Sequence, residues 1–424
     1  MTITQTKRDG IVSKAASPAK TIIAVSIGNA LEWFDIVIYG FMAVTISRLF
    51  FPDGDSTVSL LLTLGTFGVS FFMRPLGAIV LGAYADRAGR KKALTLSITL
   101  MTLGTLIIAI SPSYGTIGLA APLLVLIARL IQGFSAGGEF GSATALLSEQ
   151  DPDRRGFYAS WQSASQGITT VLASGFGVAL NALLTPEQLM NWGWRIPFFF
   201  GLLVGPIAIY IRRELEEGEE FQTEKASPSP ILETLVTHRG RIITAIGLIV
   251  LGTTISYASL FTPTFAIRQL KLPATAGFTA SLILGVLQFF LSPLFGMLSD
   301  RMRRTRIMTI AAGSILVAVL PLYTLLAAYP TTVTLYLVQI VLAVGVSAYF
   351  GPLSSLMAEI FPARIRGTGL SVGYSFGVAI FGGFAPFIIA WLLSTTGSLL
   401  APGFYVAAAA LLSLIALRYS ERYL

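Results

Sequence analysis

Glu32, Asp35, Arg74, Arg129 and Glu139 are ionisable residues set inside long apolar stretches. A charge at the centre of a bilayer costs at least about 2.5–3.5 kcal/mol on insertion scales, so each should be paired or put to use. Glu32 and Asp35 are three residues apart, which puts both carboxyls on roughly one face of a helix. Two neighbouring carboxylates sharing one guanidinium cannot both ionise cheaply, and a carboxyl poised to take a proton is what proton coupling needs. The economical arrangement is an Asp35–Arg129 pair across adjacent helices. In it Asp35 carries the proton, Glu32 modulates it, and Arg129 alternates between Asp35 and an anionic ligand. Arg74, with Pro75 beside it, is a second candidate for a ligand carboxylate. Glu139 lies roughly three turns beyond Arg129 in a Gly-rich stretch that permits close packing, and is expected to be a structural partner of a basic residue.

These groups need spans to hold them. Twelve apolar segments of the required length of about 20 residues run along the chain: 21–47, 57–84, 92–111, 117–147, 156–184, 191–212, 240–267, 274–299, 306–328, 331–359, 365–395 and 401–419. The composition agrees. The 424 residues are 54% hydrophobic and 12% charged, with a mean hydropathy of +0.75. An ordinary soluble domain carries about 25% charge. An all-α membrane protein follows, and a soluble or disordered chain is excluded. With no Cys there is no disulfide, thiolate nucleophile or Cys-ligated metal, and a single His, His238, excludes a two-His metal site. His238 reads as a solvated loop residue. Gly133–Gly141 lacks the Lys-Ser/Thr of a phosphate loop and lies inside a span. No enzyme activity, metal, cofactor or nucleic-acid partner is expected; the partners are the bilayer, protons and a small solute, and the chain should act as a monomer.

The net charge of +8 sits in short clusters between spans. With the N-terminus inside, 23 of the 29 lysines and arginines fall on the inner side, so both termini are expected in the cytoplasm. Residues 1–20 read as a cytoplasmic tail, 21–212 as a first six-helix bundle, 213–239 as a Glu- and Ser-Pro-containing cytoplasmic linker, and 240–424 as a second bundle. The halves echo each other. Gly82-Ala-Tyr-Ala-Asp86-Arg87-Ala-Gly89-Arg90-Lys91 after the second span matches Gly296-Met-Leu-Ser-Asp300-Arg301-Met-Arg303-Arg304 after the eighth. Glu149 with Arg155-Gly156 matches Glu359 with Arg366-Gly367. Each second copy follows the first by about 210 residues, half the chain, the mark of a two-bundle carrier with its site near the midplane.

The 82–91 segment resembles the cytoplasmic loop signature of the major facilitator superfamily. Gly28-Asn29-Ala-Leu-Glu32-Trp33-Phe34-Asp35, Arg74-Pro75-Leu-Gly77, Arg129-Leu-Ile-Gln132-Gly133-Phe-Ser-Ala-Gly137-Gly138-Glu139 and Trp192-Gly193-Trp194-Arg195-Ile-Pro197 are similar to its metabolite–proton symporter branch. Trp161–Gln166, Phe261–Phe265 and Ala379–Gly383 resemble stretches of citrate-carrying members. The resemblance implies twelve transmembrane helices in two pseudo-symmetric bundles, in a bacterial inner membrane. It implies proton-driven import of a small organic acid, citrate or a related tricarboxylate first, and it points to the same acid, Asp35, and the same cation, Arg129. A dicarboxylate, an aromatic acid, or a zwitterionic osmolyte such as proline or betaine is the alternative. Helix five lacks the Gly-Pro-Gly-Gly pattern of the superfamily's antiporters.

Polar side chains in apolar spans complete the candidate substrate site: Arg129, Arg74, Asn29, Tyr39, Gln162, Gln166, Tyr257, Thr262 and Tyr374, with Gln288 beside them. Helix–helix hydrogen bonding is the commoner use of each. Asp86, Arg87, Arg90 and Glu149, with Asp300, Arg304 and Glu359 as the second copy, are the candidate gate: ion pairs that latch one state and break in another.

Overall fold

A computed structural model describes residues 18–51, 54–88, 90–137, 150–203, 237–362 and 365–424, together with Thr144, Leu147, Ser148 and Gly205. Its helices are numbered here by span: α1 (Pro18–Phe41, continued by Ala43–Phe50), α2 (Ser56–Ala88), α3 (Arg90–Ile110), α4 (Ala120–Ser135), α5 (Arg155–Leu183), α6 (196–203), α7 (Arg239–Arg268), α8 (Ala274–Arg301), α9 (Arg304–Ala328), α10 (Thr332–Ile360), α11 (Thr368–Thr396) and α12 (Ala401–Ser420). The expected linker over 213–239, up to residue 236, lies outside the described residues, as do Glu139 and Glu149 and the side chains of Asp86, Arg87 and Arg90.

Large apolar side chains are exposed all round the bundle, among them Leu203, Phe290, Val317 and Val333. In water such a surface would aggregate; in a bilayer it is the solvated face. The buried interior carries the polar residues. Eight described helices are long and apolar enough to span, and a ninth span is a bent pair.

Two spans are not the plain helices the sequence suggests. The first turns through 70° between Glu32–Phe41 and Ala43–Phe50. The second arm buries Ala43, Ile46, Ser47 and Phe50, and the Phe50 ring meets Trp194 edge-on at 5.3 Å, so docking of this face draws the arm aside. The eleventh opens into a π-turn at Val378–Gly382, where the Gly383 amide reaches back to the Val378 carbonyl. Gly382 lies against Thr253 and Tyr257, and Gly383 lies against the Phe71 ring.

α2 and α4 cross at backbone contact. A methyl group on Gly133 would overlap the Ser70 carbonyl, and one on Gly77 would overlap that of Phe134. This closeness sets Ser70, Arg74 and Arg129 side by side. Gly133→Ala should therefore lower the unfolding temperature in detergent by roughly 5 °C or more, as overpacking of a tight contact does. Gly175→Ala, which meets nothing within 4 Å, should leave it unchanged. Intrinsic-fluorescence melting curves of the two variants decide the point.

α5 and α8 run together along their length, from Gly177 against Phe278 to Gly156 against Asp300, and they join the two halves. At the face where α1 meets α2, the halves also meet through Phe41 and Phe278, with ring centroids 6.0 Å apart, and through Arg268 donating to the Ser56 carbonyl at 2.5 Å. There the Thr57 amide, donating to Asp55 Oδ1 at 2.6 Å, holds that exposed carboxyl below its ordinary range.

Candidate functional site

α1, α5, α7, α8, α10 and α11 line a narrow central cavity of about 40 Å³. Its polar lining includes Gln166, Thr169, Thr170, Thr253, Ser256, Tyr257, Gln288 and Tyr374, and its apolar lining includes Trp33, Leu260 and Phe350. Thr253, Ser256 and Tyr257 stand at i, i+3 and i+4 on one face of α7, and their hydroxyls have no hydrogen-bond partner among the described residues. Buried hydroxyls are normally satisfied, so three bare ones on a cavity wall are open to a solute. Every described lining residue is uncharged.

The charge stands beside this cavity, in the first half. Arg74 is buried, with its guanidinium carbon 4.5 Å from the ring centres of both Trp33 and Phe71; its Nη2 has no partner, and no described acid pairs with it. Stacking satisfies the faces of the guanidinium and leaves its edge free. Arg129 is wholly buried, over the rings of Tyr39 (4.5 Å) and Phe67 (5.0 Å).

The direct Asp35–Arg129 ion pair expected from the sequence is absent. Arg129 Nη1 donates to Gln132 Oε1 at 2.8 Å, and Nη2 donates to Ser70 Oγ at 3.3 Å. Gln132 Nε2 donates to Thr105 Oγ1 at 2.9 Å, and Thr105 Oγ1 donates to Asp35 Oδ2 at 2.8 Å. Acid and cation are thus linked through two neutral side chains. Asp35 Oδ1 and Arg129 Nε have no partner among the described residues. Glu32 is half-buried one turn before Asp35, and no hydrogen bond or ion pair joins it to Asp35 or Arg129. Thr105, Gln132 and Ser70 went unremarked as site residues in the sequence. Gln132 had a signal, lying three residues after Arg129 on the same helical face; Thr105 and Ser70 had none, being hydroxyls in apolar spans.

The polar candidates divide. Gln166, Tyr257 and Tyr374 line the cavity, as does Gln288. Asn29 and Gln162 do not. Gln162 Nε2 donates to Asn29 Oδ1 at 2.9 Å and Asn29 Nδ2 to Ser165 Oγ at 2.7 Å, so both tie α1 to α5. Tyr39 supports Arg129 and donates to the Thr63 carbonyl at 3.3 Å. Thr262 accepts from Gln339 Nε2 at 3.2 Å in a separate cavity within the second half. A polar residue can face any neighbour of its helix, and periodicity alone does not say which.

Of the two candidate gate clusters, the second lies within the described residues. Arg304 donates to Glu359 Oε1 at 2.5 Å and to Ser355 Oγ at 2.8 Å, and its Nη2 lies 3.6 Å from Asp300 Oδ1. Asp300 also accepts the Gly156 and Phe157 amides at 2.6 and 2.9 Å. One carboxylate of the second half thus caps the first turn of α5 in the first half, where free amides and the helix dipole favour a negative charge.

The sequence profile of the Major Facilitator Superfamily matches residues 25–386. A citrate-proton symporter of Klebsiella pneumoniae is 40% identical over 405 residues, covering 95% of this chain and 91% of that one. The proline/betaine transporter of Escherichia coli K12 is 33% identical over 426 residues, covering 97% and 85%. The crystal structure of a D-xylose-proton symporter superposes with a TM-score of 0.74 at 15% identity, over 96% of this chain and 98% of that one. With a twelve-helix fold, a central cavity between two bundles and a match over most of its length, this chain belongs to the Major Facilitator Superfamily.

Proposed function

We propose that this protein is a symporter that uses the proton gradient to import a small organic acid, citrate or a related tricarboxylate first among them. The observation that carries the reading is the charge beside the cavity: two buried guanidiniums, Arg74 and Arg129, each with a bare N–H, and no acid paired directly with either among the described residues. An anionic solute supplies the missing partner, and the hydroxyls and amides of α5, α7, α8 and α11 bind its neutral oxygens. Asp35 takes the proton, Glu32 modulates it, and Arg129 answers to both proton and substrate. The relatives named citrate-proton symporters, at 40% and 41% identity, support this assignment.

The driving force is about 1.4 kcal/mol per pH unit, plus about 2.3 kcal/mol per charge per 100 mV. The halves, 21–212 and 240–424, rock about the cavity as a monomer. Asp300, Arg304 and Glu359 latch one face, with Asp86, Arg87, Arg90 and Glu149 as their counterparts. The bias of Lys and Arg puts that face and both termini in the cytoplasm.

A zwitterionic osmolyte is the second reading, because Trp33, Tyr257, Phe350 and Tyr374 offer aromatic faces suited to a quaternary ammonium. Uptake of labelled citrate, proline and betaine into proteoliposomes under an inward proton gradient separates the two. Citrate should accumulate in wild type. Asp35→Asn should abolish gradient-driven accumulation while retaining exchange. Betaine uptake without citrate uptake overturns the acid assignment, and undiminished accumulation by Asp35→Asn overturns its proton role.

A further inference from the structure

We propose that Gln132 and Thr105 are positioning residues of the coupling site. They form a hydrogen-bonded spacer that holds Arg129 and Asp35 in register and keeps them from closing into an ion pair. The inference rests on Asp35 being the proton carrier.

The chain of bonds has a direction. Arg129 donates to Gln132, Gln132 to Thr105 and Thr105 to Asp35, so every donor points from the cation towards the acid. Aligned bonds polarise one another in a medium of low dielectric, so the cation's field reaches Asp35 through the chain. All four residues are buried, Arg129, Gln132 and Thr105 completely and Asp35 with 3% of its surface exposed, so water does not compete for the bonds.

Space for the spacer comes from two glycines. A methyl on Gly104 would lie 2.6 Å from Gln132 Cγ, and one on Gly201 would overlap Asp35 Oδ1. The charged group that faces Asp35 is Arg129 on α4, Glu32 and Tyr39 stand one turn to either side of it on α1, and Arg74 on α2 acts on Arg129; α3 and α6 meet Asp35 with Thr105 and Gly201.

The arrangement suits a carrier that must gain and lose a proton in a closed site. When Asp35 takes up a proton, Thr105 has another acceptor ready, the Met101 carbonyl at 3.1 Å, and its oxygen still accepts from Gln132. Arg129 keeps Gln132, Ser70 and both rings and is not stranded as a bare buried charge. A closed Asp35–Arg129 pair would instead tie protonation to the breaking of a buried salt bridge.

The test uses the full chain in liposomes. Infrared difference spectra against pH follow the carboxyl band that disappears in Asp35→Asn, with no substrate present. Thr105→Val, nearly isosteric, removes the hydroxyl and should move the pH at which that band titrates by about one pH unit. It should also lower gradient-driven citrate accumulation about tenfold while leaving exchange near wild type. Thr105→Ser should restore both, and Gln132→Leu should repeat the loss of accumulation. A Thr105→Val band that titrates as in wild type overturns the proposal, and so does an equal fall in accumulation and exchange. An Asp35→Asn variant that removes no titrating band refutes Asp35 as the proton carrier, a separate failure. The infrared arm stands whichever substrate the protein carries.

Discussion

Arg74→Lys raises the citrate concentration for half-maximal uptake about 100-fold and leaves the protein folded. The guanidinium carbon stands 4.5 Å from the centres of both the Trp33 and Phe71 rings, and Nη2 has no partner among the described residues, so the rings hold the group while Nη2 is left for a carboxylate. A hydrogen bond to a charged group contributes about 1.5–3 kcal/mol, and a lysine can supply neither the flat stack nor the two-pronged edge. Losing roughly 3 kcal/mol corresponds to about a hundredfold in apparent affinity. Initial uptake rates against citrate concentration give the number, with size-exclusion profiles as the folding check. A change below threefold would remove Arg74 from the substrate site.

Asp300→Asn speeds the opening of the α5–α8 seam about tenfold. The substitution keeps the shape of the side chain but removes the charge that faces Arg304 and caps the α5 amides of Gly156 and Phe157. A charge at a helix N-terminus is worth about 0.3–1 kcal/mol when exposed and up to about 2 kcal/mol when partly buried, and an amide presents only one acceptor oxygen to two amides. About 1.4 kcal/mol corresponds to the tenfold change. The chain has no Cys, so a single Ser163→Cys, placed where Ser163 meets Ser292 at 3.1 Å across the seam, reports opening by its rate of maleimide labelling. Equal rates with and without Asp300→Asn would show that this cluster does not latch the seam. Ser292→Cys read the same way gives an independent probe.

The membrane class, the span positions and the duplication were legible in the residues because each is a one-dimensional property. The length of an apolar run is set by bilayer thickness, and a repeated motif survives as spacing. Even the α8–α9 cluster was readable, since Asp300, Arg304 and Glu359 sit at ends of spans that two copies of one pattern mark out. Pairings inside the bundle were not readable. Asp35 and Arg129 share a depth, but a helix offers several neighbours at any depth, and the lateral approach that sets Thr105 and Gln132 between them depends on how α3 and α4 pack at Gly104. Asn29 and Gln162 look from their spans like ligand donors and instead bind each other and Ser165. The kink at Met42 and the π-turn at Val378–Gly382 have no strong local signal; they follow from docking against Trp194 and Tyr257. The sequence by itself determined what kind of protein this is and which charges had to lie in its membrane interior, because hydropathy and the cost of burying charge act on each residue alone. Only the tertiary structure decided which charges touch and which are left without a partner among the described residues, because hydrogen bonding inside a bundle is a matter of a few tenths of an ångström between helices.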